Sequence, residues 1–200
     1  DAGGSGSVAV FSGSETGNAV LNGFTLTGGY NMASSGGRQG AGVEGRNTRA
    51  TISNCIVAGN QADGGGGIAL CYGTIINCLI VNNSAKYGGG LFECDNGIIV
   101  NCTIVNNNAT ARGAGAHGCQ SSFINVIIWG NLSSFSPGMN VSSTPTYSCI
   151  QNTSGSGTNI SGNPLFLDAD GPDDDPATWR DNDYRLGSTS PCLNRGNNNP

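Results

Sequence analysis

Lines of this chain can be laid over one another at a nearly constant interval. Ile52-Ser53-Asn54-Cys55-Ile56-Val57 is answered by Ile75-Ile76-Asn77-Cys78-Leu79-Ile80, by Ile99-Val100-Asn101-Cys102-Thr103-Ile104 and by Phe123-Ile124-Asn125-Val126-Ile127-Ile128, with steps of 23, 24 and 24 residues between the asparagines. An earlier copy, Val20-Leu21-Asn22-Gly23-Phe24-Thr25, and a later one, Tyr147-Ser148-Cys149-Ile150, extend the series to about six turns. A second column, Asn60, Asn83, Asn107 and Asn131, follows six residues after the first. A third is a glycine corner leading into an apolar residue: Gly42-Val43, Gly67-Ile68, Gly90-Leu91, Gly115-Ala116 and Gly138-Met139. Three columns in one register mark a repeat architecture.

The period selects among such architectures. Helical repeats need 3.6-residue amphipathic patterning, and leucine-rich repeats need their own leucine and asparagine spacing; neither is present. The period fits an all-β coil, a right-handed parallel β-helix of about six turns of 23–25 residues, with roughly three short strands per turn. Asn and Gly tolerate positive φ and allow sharp corners. Stacked Asn side chains can hydrogen-bond from turn to turn, so Asn22, Asn54, Asn77, Asn101 and Asn125 are expected to form one ladder, and Asn60, Asn83, Asn107 and Asn131 a second. At about 4.8 Å per turn the rod would be roughly 29 Å long.

The cysteines fall into the same columns. Cys55, Cys78, Cys102 and Cys149 form one file, in which Gly23 and Val126 replace Cys; Cys71, Cys94 and Cys119 form another. Such replacements suit small inward-facing apolar residues, with disulfides between adjacent turns as the alternative. Cys149 and Cys192, outside the regular body, are the candidates for one disulfide.

Two segments break the pattern. The step from Asn22 to Asn54 is 32, so a loop insertion is expected at 31–40. The repeat ends near residue 162, dividing the chain into a coil body, 1–162, and an irregular acidic extension, 163–200, packed on it. In that extension Asp168, Asp170, Asp173, Asp175, Asp181 and Asp183 alternate around a Gly turn, which suits calcium, with a solvated acidic loop as the alternative.

Composition narrows the function. Charged residues are 10% of the chain, with one Lys, one His and a net charge of −5, so no basic patch exists to hold nucleic acid or an anionic membrane. No apolar run is long enough to cross a bilayer, and a first residue of Asp suggests a mature or excised piece whose export signal is gone. Eight Cys beside almost no Lys fit an oxidising, exported setting. Sequons at Asn82, Asn101, Asn108, Asn131, Asn140, Asn152 and Asn159 are candidates for glycosylation.

The lines SNCIVAGN, INCLIVNN and VNCTIVNN, with GGGI and GGGL, resemble the repeats of bacterial secreted right-handed β-helix proteins, including polymorphic outer-membrane proteins and pectate-lyase-like solenoids. Val57, Ile80, Ile104 and Ile128 stand where the FxxN repeat of the former has phenylalanine. The resemblance covers nearly the whole chain and implies the fold; such solenoids serve adhesion, display and carbohydrate chemistry alike.

A lyase-like or hydrolase-like site needs gathered carboxylates and a base. The regular turns after residue 40 offer only Glu44, Asp63, Glu93 and Asp95, and His117 stands alone at a glycine corner, so an enzyme is not expected and no catalytic residue is assigned. Glycan-binding faces use aromatic side chains, but Trp129 and Trp179 lie far apart in the chain. The expectation is a secreted or cell-surface structural element, stacking on copies of itself or meeting cell-surface or matrix glycans. Polysaccharide binding or degradation is the alternative.

Overall fold

A computed structural model describes residues 6–32, 39–136, 138–153, 155, 157–176 and 178–198, and among these every helical or extended element is a strand. The chain winds as a parallel β-solenoid with four walls. One turn shows the order: Val43–Thr48 lies in the first wall, Thr51–Ser53 in the second, Ile56–Ala58 in the third and Gln61–Gly64 in the fourth. The first and third walls hold six strands and the second and fourth five. Four turns, starting at Val43, Ile68, Leu91 and Ala116, carry the full set; an irregular opening turn precedes them and a partial one follows.

Four strands per turn, against the three expected, follow from the number of corners. A left-handed backbone costs an ordinary L-residue about 1–2 kcal/mol, which Asn and Gly largely escape. One corner column is Asn54, Asn77, Asn101 and Asn125, with φ of 52° to 54°. A second, Gly59, Asn82, Asn106 and Gly130, immediately precedes the other Asn column; a third is Gly40, Gly65, Gly88 and Gly113. Leu70, Glu93 and Gly118 make the fourth. The glycines named from sequence as corners, Gly42, Gly67, Gly90 and Gly115, are not the left-handed ones. They are places of close approach, where a Cβ on Gly67 would stand 2.5 Å from the Gly90 carbonyl oxygen.

Register also corrects the ends of the first Asn column. Asn22 pairs with Ser53, and Gly23 takes the left-handed corner that Asn54 occupies one turn on, yet Asn22 stays in the side-chain ladder, its Oδ1 accepting from Asn54 Nδ2 at 2.7 Å. At the other end Ile127 pairs with Cys149, so Cys149 is one place out of the file of Cys55, Cys78 and Cys102, and Tyr147 takes the corner. The extra residues of the opening turn divide in two. The offset between partners falls from 31 at Asn31↔Ala62 to 25 at Gln39↔Gly64, then to 23 at Thr48↔Cys71. Six residues are therefore inserted between Asn31 and Gln39, where 33–38 lie outside the described residues, and two more form a bulge around Arg46 and Asn47.

Alternation on each strand sends one file per wall inward. Val43, Ile68, Leu91 and Ala116 fill the first wall, Ile52, Ile75, Ile99 and Phe123 the second, and Val57, Ile80, Ile104 and Ile128 the third, all at most 1% exposed. Each Ile, Leu or Phe so buried contributes about 1.5–3 kcal/mol. At the turn into the fourth wall the interior is polar: Asn60, Asn83, Asn107 and Asn131 are 0–2% exposed. The backbone N–H and Nδ2 of Asn83 both donate to Asn107 Oδ1 at 3.0 Å, and Nδ2 donates to Val57 O at 2.8 Å. Asn83 Oδ1 in turn accepts from the N–H and Nδ2 of Asn60. Every donor and acceptor of that amide is used, as burial demands.

The first Asn column differs: Asn54, Asn77 and Asn101 face solvent, and their side-chain bonds, such as Asn77 Nδ2 to Asn54 Oδ1 at 3.3 Å, are exterior. Its contribution is corner geometry. The two columns should therefore separate on substitution. Asn77→Gly, which keeps the corner, should leave the urea unfolding midpoint nearly unchanged. Asn83→Gly strands several buried polar groups at about 1–3 kcal/mol each and should cost more than about 3 kcal/mol in the same titration.

Candidate functional site

With the interior filled, chemistry must lie on the outer faces. The third wall is covered by the chain beyond residue 163, which forms an antiparallel pair, Phe166–Asp168 with Asp183–Leu186. Phe166, Trp179 and Tyr184 pack with Ile56, Leu79 and Trp129 over Ala58, Val81 and Val105. The two tryptophans, distant in sequence, thus share one cluster and bind the strap to the coil. Corner asparagines fasten it: Asn82 Nδ2 donates to Pro176 O at 2.6 Å, Asn106 Nδ2 to the Tyr184 hydroxyl at 3.2 Å, and Asn125 Nδ2 to Asn197 O at 2.8 Å. Where strap and coil diverge, Asn82, Ser84, Asn106, Asn108, Leu132 and Pro176 border an open recess of about 420 Å³. Asn82 Oδ1 and, on the strap, Asn182 Oδ1 are buried without a hydrogen-bond partner.

The acidic residues of the strap fall mainly into two groups, Asp183 on Arg185 and Asp173 with Asp181 on the Thr178 hydroxyl. Asp183 is bound by Arg185, whose hydrogen bonds hold its carboxyl down at about 2. Asp173 accepts from Thr178 Oγ1 at 2.8 Å, and Asp181 lies 3.2 Å from the same hydroxyl. Asp168 faces Asp183 across the antiparallel pair. Asp170 sits near Tyr184, and Asp175 bonds by its backbone N–H to Asp173 Oδ1. Among the described residues no three His, Cys, Asp or Glu side chains converge as a cation would require.

On the outer face of the first wall, Glu44, Ala69, Phe92, His117 and Asn140 are in register. His117 stacks on Phe92 with centroids 5.8 Å apart and tilts on Tyr87 at 5.3 Å. Its Nδ1 is buried without a partner, and burial, then the charge of Arg112, lower its pKa. Glu93 is a corner residue one place beyond that file, so Glu93 and Glu44 do not stand in related positions. Glu44 is paired with Arg46 at 2.9 Å, and Asp95 accepts from the Gln120 N–H at 2.8 Å.

All eight cysteines are unlinked. Burial pushes Cys71 and Cys119 well above the usual thiol range, and hydrogen bonding to Cys102, ahead of burial, takes Cys78 up to about 12. Cys149 faces outward from the third wall beneath the strap and lines one recess with Cys192. Of the sequon asparagines, Asn108 and Asn152 are exposed and Asn140 is half-buried. Asn131 is excluded from glycosylation in the folded chain, since its amide belongs to the interior ladder. Asn82 and Asn159 already spend their amides on Pro176 O and Pro145 O, and Asn101 Oδ1 accepts from Asn125.

The environment of His117 sets a pH dependence. Its folded pKa is lowered, so the unfolded chain binds the proton more tightly and folding favours the neutral ring. That contribution is complete above the ordinary value of about 6.5 and is lost as pH falls through the lowered folded value. The melting temperature should fall between pH 6.5 and pH 5 (on the order of one unit either side of the shift), and His117→Phe should flatten that slope.

Comparison with protein-family models, with curated proteins and with solved structures returns no match to this chain, so its function is argued from these faces alone.

Proposed function

We propose that this chain is a structural element of the extracellular space or cell surface, a rigid β-solenoid that holds its outer faces at fixed spacing, of the kind its repeats resemble in bacterial secreted β-helix proteins. One observation carries the reading: the interior is saturated from wall to wall, with the Asn60 to Asn131 file fully hydrogen-bonded, while the outward ionisable groups are spread over separate faces. Rigidity comes from the coil, and the charge-poor Asn, Ser and Thr surface suits exposure outside the cell.

The opening turn supports stacking on a second copy. Its strands are the edges of all four walls, and Val10, Val20, Phe24 and Tyr30 are each about half exposed there. Gly6 takes the edge of the fourth wall, exchanging backbone hydrogen bonds with Tyr30; the edges of the other three walls, beside apolar side chains, are a template for further strands. Negative-stain electron microscopy over rising concentration should show rods longer than one molecule. Dispersed single particles at every concentration would remove the stacking part of the proposal.

The recess between strap and coil favours a second reading, glycan binding. Amide-rich walls with one exposed apolar residue, Leu132, suit the hydroxyl edges and apolar face of a sugar. Acidic and neutral polysaccharides assayed for both retention and release of unsaturated or reducing ends separate the cases. The scaffold reading expects neither, a binding module retention alone, and a lyase or hydrolase release.

A further inference from the structure

Six of the eight cysteines lie in two interior files, and two do not. Cys149 and Cys192 meet on the outer face of the third wall, where the closing partial turn passes under the strap. Cys149 is 3% exposed, with its Sγ 3.2 Å from Gly162 O, whereas Cys192 is half-buried and borders a recess of about 170 Å³ beside Arg195 and Tyr147. The strap is held at this point by few contacts: Cys192 N–H donates to Ser190 Oγ, Ser190 Oγ donates to Pro164 O, and Asn197 meets Asn125. We propose that Cys149 and Cys192 are an oxidisable pair, whose disulfide covalently fastens the strap to the last turn of the coil while the six interior thiols stay reduced.

The asymmetry of the pair supplies the chemistry. The Cys149 thiol hydrogen-bonds to the Cys192 sulfur, which brings Cys192 down to about 7 and pushes Cys149 up. Cys192 is therefore the more readily ionised of the two to the thiolate, the nucleophilic form, and it is the one that solvent reaches. Its sulfur attacks a small-molecule disulfide such as oxidised glutathione: the new S–S bond forms at Cys192, the reagent's S–S bond breaks, and one thiolate leaves and takes up a proton. Cys149 then gives up its proton and attacks the Cys192 sulfur, expelling the second thiol. Two protein thiols are oxidised and one disulfide is reduced to two thiols. Cys71, Cys94 and Cys119 are each at most 1% exposed, and Cys55, Cys78 and Cys102 at most 3%, so the same reagent does not reach them.

The test is thiol mapping on the native chain and does not depend on the scaffold reading. The reduced protein is treated with oxidised glutathione, alkylated without denaturant, digested and analysed by mass spectrometry. The expected result is one cross-linked peptide pair joining Cys149 to Cys192, a mass loss of two hydrogens, and an unfolding midpoint raised in the oxidised form and restored by reductant. Cys192→Ser should abolish the oxidant-dependent rise while leaving the reduced midpoint nearly unchanged. Cys149→Ser should trap glutathione on Cys192. A cross-link within either interior file, or a Cys192 that keeps glutathione in the unsubstituted chain, would overturn the proposal. Oxidation without any change in the midpoint would overturn the fastening role.

Discussion

The structure depends on how it disposes of buried amides. A turn of 23 to 25 residues must reverse direction around an interior of buried side chains, and the corner into the fourth wall leaves backbone N–H and carbonyl groups inside. Asn60, Asn83, Asn107 and Asn131 answer them. Each side chain reaches one turn along the axis; the carbonyl oxygens of Asn83, Asn107 and Asn131 take the backbone N–H and the amide nitrogen of the previous turn together, and that of Asn60 takes the Gly29 N–H. The geometry works only when successive turns stand directly above one another, so the file fixes the register of all four walls. Apolar burial is larger in total but less particular about position: an Ile file tolerates sliding that a saturated amide file does not.

A filled interior moves recognition to the corners and the outward files. The corner residues project to solvent and carry side chains that the walls do not need, and Asn82, Asn106 and Asn125 each spend theirs on the strap. The strap in turn covers the third wall, whose outward file of Ile56, Leu79 and Ile127 would otherwise present an apolar stripe. The opposite face keeps Glu44, Phe92 and His117 uncovered by the strap. The two sides of the rod are therefore chemically distinct, one closed by the strap's aromatic packing and the other presenting Glu44 and His117, with Phe92 buried against the His117 ring.

Much of this was legible in the sequence, for a physical reason. Stacking at one turn's spacing turns a three-dimensional file into a fixed interval, so Asn54, Asn77 and Asn101, the interior Asn column and the two cysteine files could be read directly. What failed to show was anything that depended on φ or on a one-residue offset. Gly67 and Gly90 look like corners, but close approach and left-handed backbone both demand glycine, and only coordinates tell them apart. Leu70 and Glu93 hold corners with no compositional signal at all. The inserted residues of the opening turn appeared as one excess; the bulge at Arg46 and Asn47 takes two of them. Trp129 and Trp179 pack against one cluster only because the strap folds back, an arrangement that no repeat encodes.

The cysteines show how much chemistry hangs on that offset. In a strand a shift of one residue carries a side chain from the interior to the exterior. Read by interval, Cys149 continues the file of Cys55, Cys78 and Cys102; by pairing, Ser148 holds that place, accepting the Val126 N–H and donating to Thr146 O. Cys149 is thereby turned outward to meet Cys192. Interior position shields the file thiols from solvent, and hydrogen bonding between neighbouring thiols, with burial, raises Cys55 and Cys78 above the usual thiol range. The same residue one place along faces a lowered thiol at the edge of a recess. Reactivity here is set by register: the pairing of Val126 with Ser148, one turn beyond the end of the amide file at Asn131, decides which side chain faces outward and so which thiol can react.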